Sequence, residues 1–346
     1  DPDSPVAFML SGVAARCGAI LAVLEQVPNQ PLFGGKYEDA IIAYTFDKFL
    51  ESGEADWPLL LPMVKSAVRA MDTVQAVIRD KFKIEMEKFI VTGASKRGWT
   101  TYLAAVTDER VIAIAPMVFD VLNIEKQMDH QFKTYGRFSE KVRDYTNRRI
   151  QERIQTDRGR SLTRIIDPFV HRQRLNMPKL IVLGTNDPYW TADSANLYFD
   201  DLPGPRLLHY VANRGHGLGM EMIPTVLVFL QAALEDRTLP EVHWHRQDEG
   251  VLKISWEGTA RPMLWQARSD NRDFRGATWQ RSPLHGSGRC EILIEKPERG
   301  WVGFYAELVR DSDLGLPYRS ATPIFVLPDT YPDHPRPRGQ QEIEEK

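Results

Sequence analysis

The stretch FIVTGASKRGW, residues 89–99, decides how the rest of the chain is read. A strand-like run ends at Gly93, Ser95 follows among small residues, and a helix-forming segment begins at Trp99. A nucleophile elbow needs this order of strand, tight turn and helix. It also needs small residues two before and two or three after the serine, because the strained turn otherwise clashes with its neighbours. Gly93 holds the leading position, but Arg97 takes the trailing one and Gly98 comes a residue later. Taken alone, Ser95 is either a nucleophile or the N-cap of an ordinary helix.

Outward from this stretch, up to about Asp236, short apolar runs alternate with longer helical patterns, as in an α/β sheet. The strand candidates lie at 6–10, 19–27, 88–93, 111–118, 179–184 and 206–211. Helical patterns fill 37–50 and 59–82, the second with apolar residues three and four apart from Leu60 to Ile78. Only eight residues separate the first two strand candidates. A parallel crossover needs about a dozen or more, so these two are antiparallel or a segment between them is absent.

Two later strands carry chemistry at their ends. KLIVLGTNDPYW sets Asp187 just past one, and RLLHYVANRGHGLG sets His216 past the next in a glycine-flanked loop. An aspartate in NDP is usually a turn former, and a lone loop histidine is usually a surface group. Their arrival at successive strand ends in the order Ser, Asp, His favours the α/β-hydrolase triad. Ser95 then attacks, His216 relays the proton and Asp187 orients the imidazole. Asp193, after the same strand as Asp187, reads as a helix N-cap. Oxyanion donors are assigned to the amides of Lys96 and Gly12, the latter beside the awkward early connection. No ligand spacing for a metal and no phosphate-binding glycine loop are present, so neither metal nor cofactor is expected.

Composition narrows the class. The chain has 346 residues, 42% hydrophobic and 26% charged, with a net charge of -3. That balance gives no reason to expect nucleic acid as a partner. No apolar run reaches the ~18 residues of a membrane span. Cys17 and Cys290 are too few for a disulfide framework. The start at Asp1 reads as a mature or trimmed product.

Residues 238–329 change texture to short Val-, Ile-, Trp- and Tyr-rich strands, a small fibronectin III-like β-sandwich beside the hydrolase unit 1–237. Its inward residues, among them Trp256, Ile254 and Phe304, should form a separate core, with a spacer role more natural than a catalytic one. Residues 330–346 read as a disordered or extended tail with no core role. The Arg- and aromatic-rich stretch at about 118–166 is a lid insertion or a solvated helical excursion. As a lid it would face Tyr189 and Trp190 with Phe132 and Tyr135 across an aromatic pocket. Lys96 and Arg97 would either meet anionic groups of a substrate or be a solvated helix start.

The segments LEQVPNQPL, EDAIIAYTFDKFL, VTGASKRGWTTYLAA, IIDPFVHRQRLNMPKLIVLGTNDPYW and NRGHGLG together resemble the PhoPQ-activated pathogenicity-related (PqaA-type) proteins. The resemblance implies an α/β-hydrolase fold and places Ser95, Asp187 and His216 on that family's triad positions. It also implies a periplasmic or secreted setting. The spacing around Ser95 is similar to that of glucuronoyl esterases, which points weakly to a small-molecule or carbohydrate-linked ester. The expected activity is that of a serine carboxylester hydrolase. A prolyl-peptidase-type serine peptidase and a non-catalytic secreted signalling protein are the alternatives. Natural substrate and oligomeric state are not legible.

Overall fold

The computed structural model describes residues 12, 14–248 and 250–334, with only the backbone at 248. Four strands form a parallel sheet in chain order: β1 (Phe89–Ala94), β2 (Val111–Met117), β3 (Lys179–Gly184) and β4 (Arg206–Val211). Alternation along each strand divides the side chains between two faces. Ala113, Ala115, Leu180, Val182 and Leu207 meet Phe229 and Ala233 of a helix at Ile223–Leu234. Ile114, Ile181, Leu183 and Leu208 turn to the opposite, larger core. Covered on both faces, β3 is buried along its whole length, which is why it reads as a continuous apolar run.

The larger core is built by α1 (Asp39–Ser52), α2 (Leu60–Phe82) and α3 (Lys96–Thr107), with helices inserted between β2 and β3. These are α4 (Ile124–Tyr135), α5 (Arg143–Thr146), α6 (Ile150–Arg153) and α7 (Asp157–Ile166). Trp99 of α3 stacks on Phe119, and its indole N–H donates to the Ile166 carbonyl at 2.5 Å. The insertion is thereby tied to the helix that follows the elbow.

The strand expected at 19–27 does not form, and Ile20, Leu21, Val23 and Leu24 are exposed. Among the described residues no strand pairs with it, and β1 is the outermost strand of the parallel sheet. The candidate at 6–10 lies outside the described residues.

Beyond α8 (Ile223–Leu234), eight strands form two antiparallel sheets. The first has the order β11 (Pro317–Ala321), β10 (Trp301–Asp311), β7 (Arg261–Ser269), β8 (Gln280–Pro283), with β12 (Phe325–Leu327) also on β10. The second has the order β5 (Val242–Asp248), β6 (Val251–Trp256), β9 (Arg289–Leu293). Leu252, Ile254, Trp256, Ile292 and Phe304 close a core between them. Two of these strands carry no apolar pattern of their own: β8 is QRSP, exposed throughout, and β11 is PYRSA, buried or half-buried despite its polar residues.

This region is not a spacer. Phe274, Trp279, Tyr305, Ile324 and Val326 belong to the same buried cluster as residues of the parallel sheet and its helices, and Tyr305 meets Tyr210 of β4 at 5.1 Å between rings. Nor is the start of the presumed tail loose: Tyr331 shares a 2.9 Å hydrogen bond with His130 of α4. Residues 335–346 lie outside the described residues.

With both regions sharing one core, Tyr305→Ala should cost about 3–5 kcal/mol and lower a single unfolding transition seen by all probes. Two separate denaturant transitions, of which the variant moves only one, would show that the regions fold independently.

Candidate active site

Ser95 stands between β1 and α3 with φ 58° and ψ -127°, in the left-handed half of backbone space, where non-glycine residues are strained. A capping serine has extended backbone and accepts from the first helical turn. Ser95 does neither, because its side chain makes no cap hydrogen bond. Its amide is anchored to the Met117 carbonyl at 2.9 Å. The glycines around it are required by space. A Cβ on Gly93 would lie 2.7 Å from the Arg97 carbonyl oxygen, and one on Gly98 would lie 2.9 Å from that of Met117. The late glycine is therefore the trailing small residue of this turn.

Asp187 and His216 come together. His216 Nδ1 lies 2.8 Å from Asp187 Oδ2, and the other carboxylate oxygen accepts from the Tyr189 amide at 2.9 Å. Asp187 is buried. The approach depends on Gly184, where a Cβ would sit 2.4 Å from the carbonyl oxygens of Arg214 and Gly215. His216 Nε2 is buried and has no hydrogen-bond partner among the described residues, so the contact with the Ser95 hydroxyl is unmade. Such contacts commonly tighten only when substrate is bound.

Ser95 opens onto a cavity of about 80 Å³ lined by Lys96, Asp39, Tyr189 and Trp190 with apolar side chains including Phe46, Trp99 and Phe119. Tyr189 links the two halves of the site, lining the cavity while its ring lies 4.3 Å from that of His216. The inserted helices roof this space with Ile124, Met128, Val142, Tyr145, Ile150 and Ile154. Phe132 and Tyr135 do not line it, since Ile124 and Met128 take that face of α4 one turn earlier. Tyr135 instead donates to the Trp190 carbonyl at 3.0 Å.

Two carboxylates that the sequence reading passed over neutralise the cations near Ser95. Lys96 is buried, with Nζ 2.6 Å from Glu38 and 3.9 Å from Asp39. Arg97 points at Glu38, 3.0 Å away, and is absent from the cavity lining. Burial pushes the Glu38 carboxyl up, but hydrogen bonds from Arg97, Lys96 and Gln30 outweigh it and hold the group at about 2. Burial raises Asp39 despite the opposing Lys96 charge. Only the pairing in space reveals these roles, because EDA at 38–40 reads as a plain helix start. Gly12 is exposed, and among the described residues it is not part of the cavity lining. The Lys96 amide lies in the first turn of α3, where backbone N–H groups have no intrahelical partner.

A model of the PhoPQ-activated pathogenicity-related protein family matches residues 3–275. The chain belongs to this family. Its fold is the α/β-hydrolase fold, with the parallel sheet, the strand–turn–helix at Ser95 and the antiparallel C-terminal sheets described above. Autocrine proliferation repressor protein A of Dictyostelium discoideum is 30% identical over 364 residues, spanning 92% of this chain and 73% of that protein. Acetyl xylan esterase 1 from Thermoanaerobacterium sp. JW/SL YS485 superposes with a TM-score of 0.42 at 13% identity, over 58% of this chain and 60% of that one. The acylaminoacyl peptidase of Pyrococcus horikoshii gives a TM-score of 0.37 at 12% identity, over 52% and 28%. The match thus spans less than two thirds of either solved chain.

Beneath the site, Asp120 accepts from Tyr198 Oη at 2.7 Å, with Asp187 and Asp193 nearby. Complete burial raises its carboxyl to about 8 against the Tyr198 hydrogen bond, and the two neighbouring carboxylates add to the rise. The folded chain therefore holds a proton that the unfolded chain loses near pH ~4. Its contribution to stability is full below that point and is lost as pH rises towards 8. Asp120→Asn should remove this loss, so its melting temperature should gain on the wild type between pH 5 and 9. A constant gap across that range would mean that Asp120 ionises normally.

Proposed function

We propose that the protein is a serine hydrolase acting through an acyl-enzyme, with Ser95 as nucleophile, His216 as general base and acid, and Asp187 orienting the imidazole. The observation that carries this reading is the buried Asp187–His216 hydrogen bond, joined through the Tyr189 ring to the cavity where Ser95 sits on a strained turn. His216 Nε2 takes the Ser95 proton as Oγ attacks the carbonyl carbon and returns it to the leaving oxygen. The Lys96 amide serves the developing oxyanion.

A carboxylic ester with a small, neutral, apolar acyl group suits the cavity best. Its walls are largely hydrocarbon, and Lys96 and Arg97 already compensate Glu38 and Asp39. No free carboxylate remains among these residues for the amino group that an aminopeptidase must hold. We read the natural substrate as a small-molecule or carbohydrate-linked ester met in the periplasm or outside the cell, a setting supported by the family alone. The alternative of a non-catalytic signalling protein draws on the name of the Dictyostelium relative and on the unmade contact at His216 Nε2.

A panel of p-nitrophenyl esters and aminoacyl anilides separates these readings. The wild type should hydrolyse short acyl esters, and Ser95→Ala should abolish turnover. Asp187→Asn should lower kcat by about 10³–10⁴-fold, with KM and melting temperature nearly unchanged. Turnover that survives Ser95→Ala would remove the nucleophile assignment, and preference for anilides would move the activity to peptides.

A further inference from the structure

We propose that Asn186 and Asn213 are positioning residues through which the 271–279 loop of the C-terminal β region sets the placement of Asp187 relative to His216. This rests on the triad reading above. Asn186 directly precedes Asp187. Its Nδ2 faces three carbonyls of that loop, those of Phe274 and Arg275 at 3.2 Å and that of Ala277 at 2.7 Å. Asn213, three residues before His216, grips the backbone of Trp279 in both directions. Its Nδ2 donates to the Trp279 carbonyl at 2.9 Å, and its Oδ1 accepts from the Trp279 amide at 2.7 Å. The acid loop and the histidine loop thus hang from one short segment of another sheet system.

The two loops are also fastened to each other. The Asn186 amide donates to the Arg214 carbonyl at 2.9 Å. Thr185 Oγ1 donates to Asn186 Oδ1 at 2.7 Å and accepts from the Asn213 amide at 2.8 Å. With each asparagine spent across the interface, neither loop can shift without breaking bonds to the other and to the C-terminal region.

The segment that holds them is itself rigid. Phe274 and Trp279 are buried in the main core. Arg272 is buried in a charge pair with Asp193 at 2.8 Å and donates to Thr134 Oγ1 at 3.0 Å. Arg275 lies 4.2 Å from the Tyr135 ring centroid, on the helix whose Gln131 holds the Tyr189 carbonyl at 2.8 Å. Mere fastening of two regions would not require the anchors to fall beside both triad loops. A displacement of about 1 Å in such a site can cost on the order of 10²-fold in rate.

The left-handed φ of 59° at Asn213 makes Asn213→Gly the test, because glycine removes the side chain without straining the backbone. In the full chain with p-nitrophenyl butyrate, Asn213→Gly should lower kcat by about 10–100-fold and leave KM within about twofold. Asn213→Asp, which keeps the bond from the Trp279 amide, should recover part of the loss. If Asn213→Gly does not fold, Asn213→Asp, which loses the bond to the Trp279 carbonyl, is judged alone and should show a smaller loss of kcat with KM again within about twofold. An active wild type whose folded variants keep full kcat, or lose only KM, overturns the positioning role and leaves the hydrolase reading standing. A wild type inactive on every ester and every aminoacyl anilide overturns both.

Discussion

The parallel register between β3 and β4 is the constraint on which the rest of the structure depends. Six successive pairs run from Lys179–Arg206 to Gly184–Val211, so the two strands end level with each other. The loops that leave them must then share one small volume, and Gly184 is the residue that permits it, since any Cβ there would meet the carbonyl oxygens of Arg214 and Gly215. Asp187 and His216 meet because these backbones are packed this tightly. Their 2.8 Å hydrogen bond is a consequence of strand register.

Around this pair the chain places charge with close compensation. Asp193 is buried between His130 of α4 and Arg272 of the C-terminal region, each 2.8 Å away, and these partners hold its carboxyl well below the usual range against the cost of burial. Removing one member of such a group leaves an uncompensated buried charge, which costs far more than a lost surface pair. The inserted helix, the acid loop and the C-terminal sheets therefore stand or fall together. Ile124 and Met128 of that inserted helix and Tyr189 and Trp190 of the acid loop line the apolar cavity at Ser95.

Much of this was legible in the sequence. The strands at 179–184 and 206–211 were readable to the residue because both are buried runs bounded by turn formers. Asp187 and His216 stood out because they follow those strands at once. What escaped was whatever depends on contacts between distant segments. Asp193 read as a helix cap, yet its side chain caps nothing and binds residues 63 and 79 positions away. Arg97 read as a candidate for the substrate, yet Glu38, 59 positions earlier, holds it. The 19–27 run had the composition of a strand but has no partner among the described residues, and pairing decides strands as much as propensity does. The C-terminal sheets read as a spacer because their own core is apparent in the pattern of Ile and Trp, whereas Tyr305 and Trp279 carry no local sign that they face another region.

The most direct test of the central claim, that Ser95, His216 and Asp187 form one working unit, is the mass of the intact protein after exposure to a fluorophosphonate, with the adduct mapped by peptide. The account predicts a single adduct on Ser95 whose formation slows by orders of magnitude in His216→Ala. An adduct on another residue, or labelling of Ser95 at an equal rate without the imidazole, would contradict it.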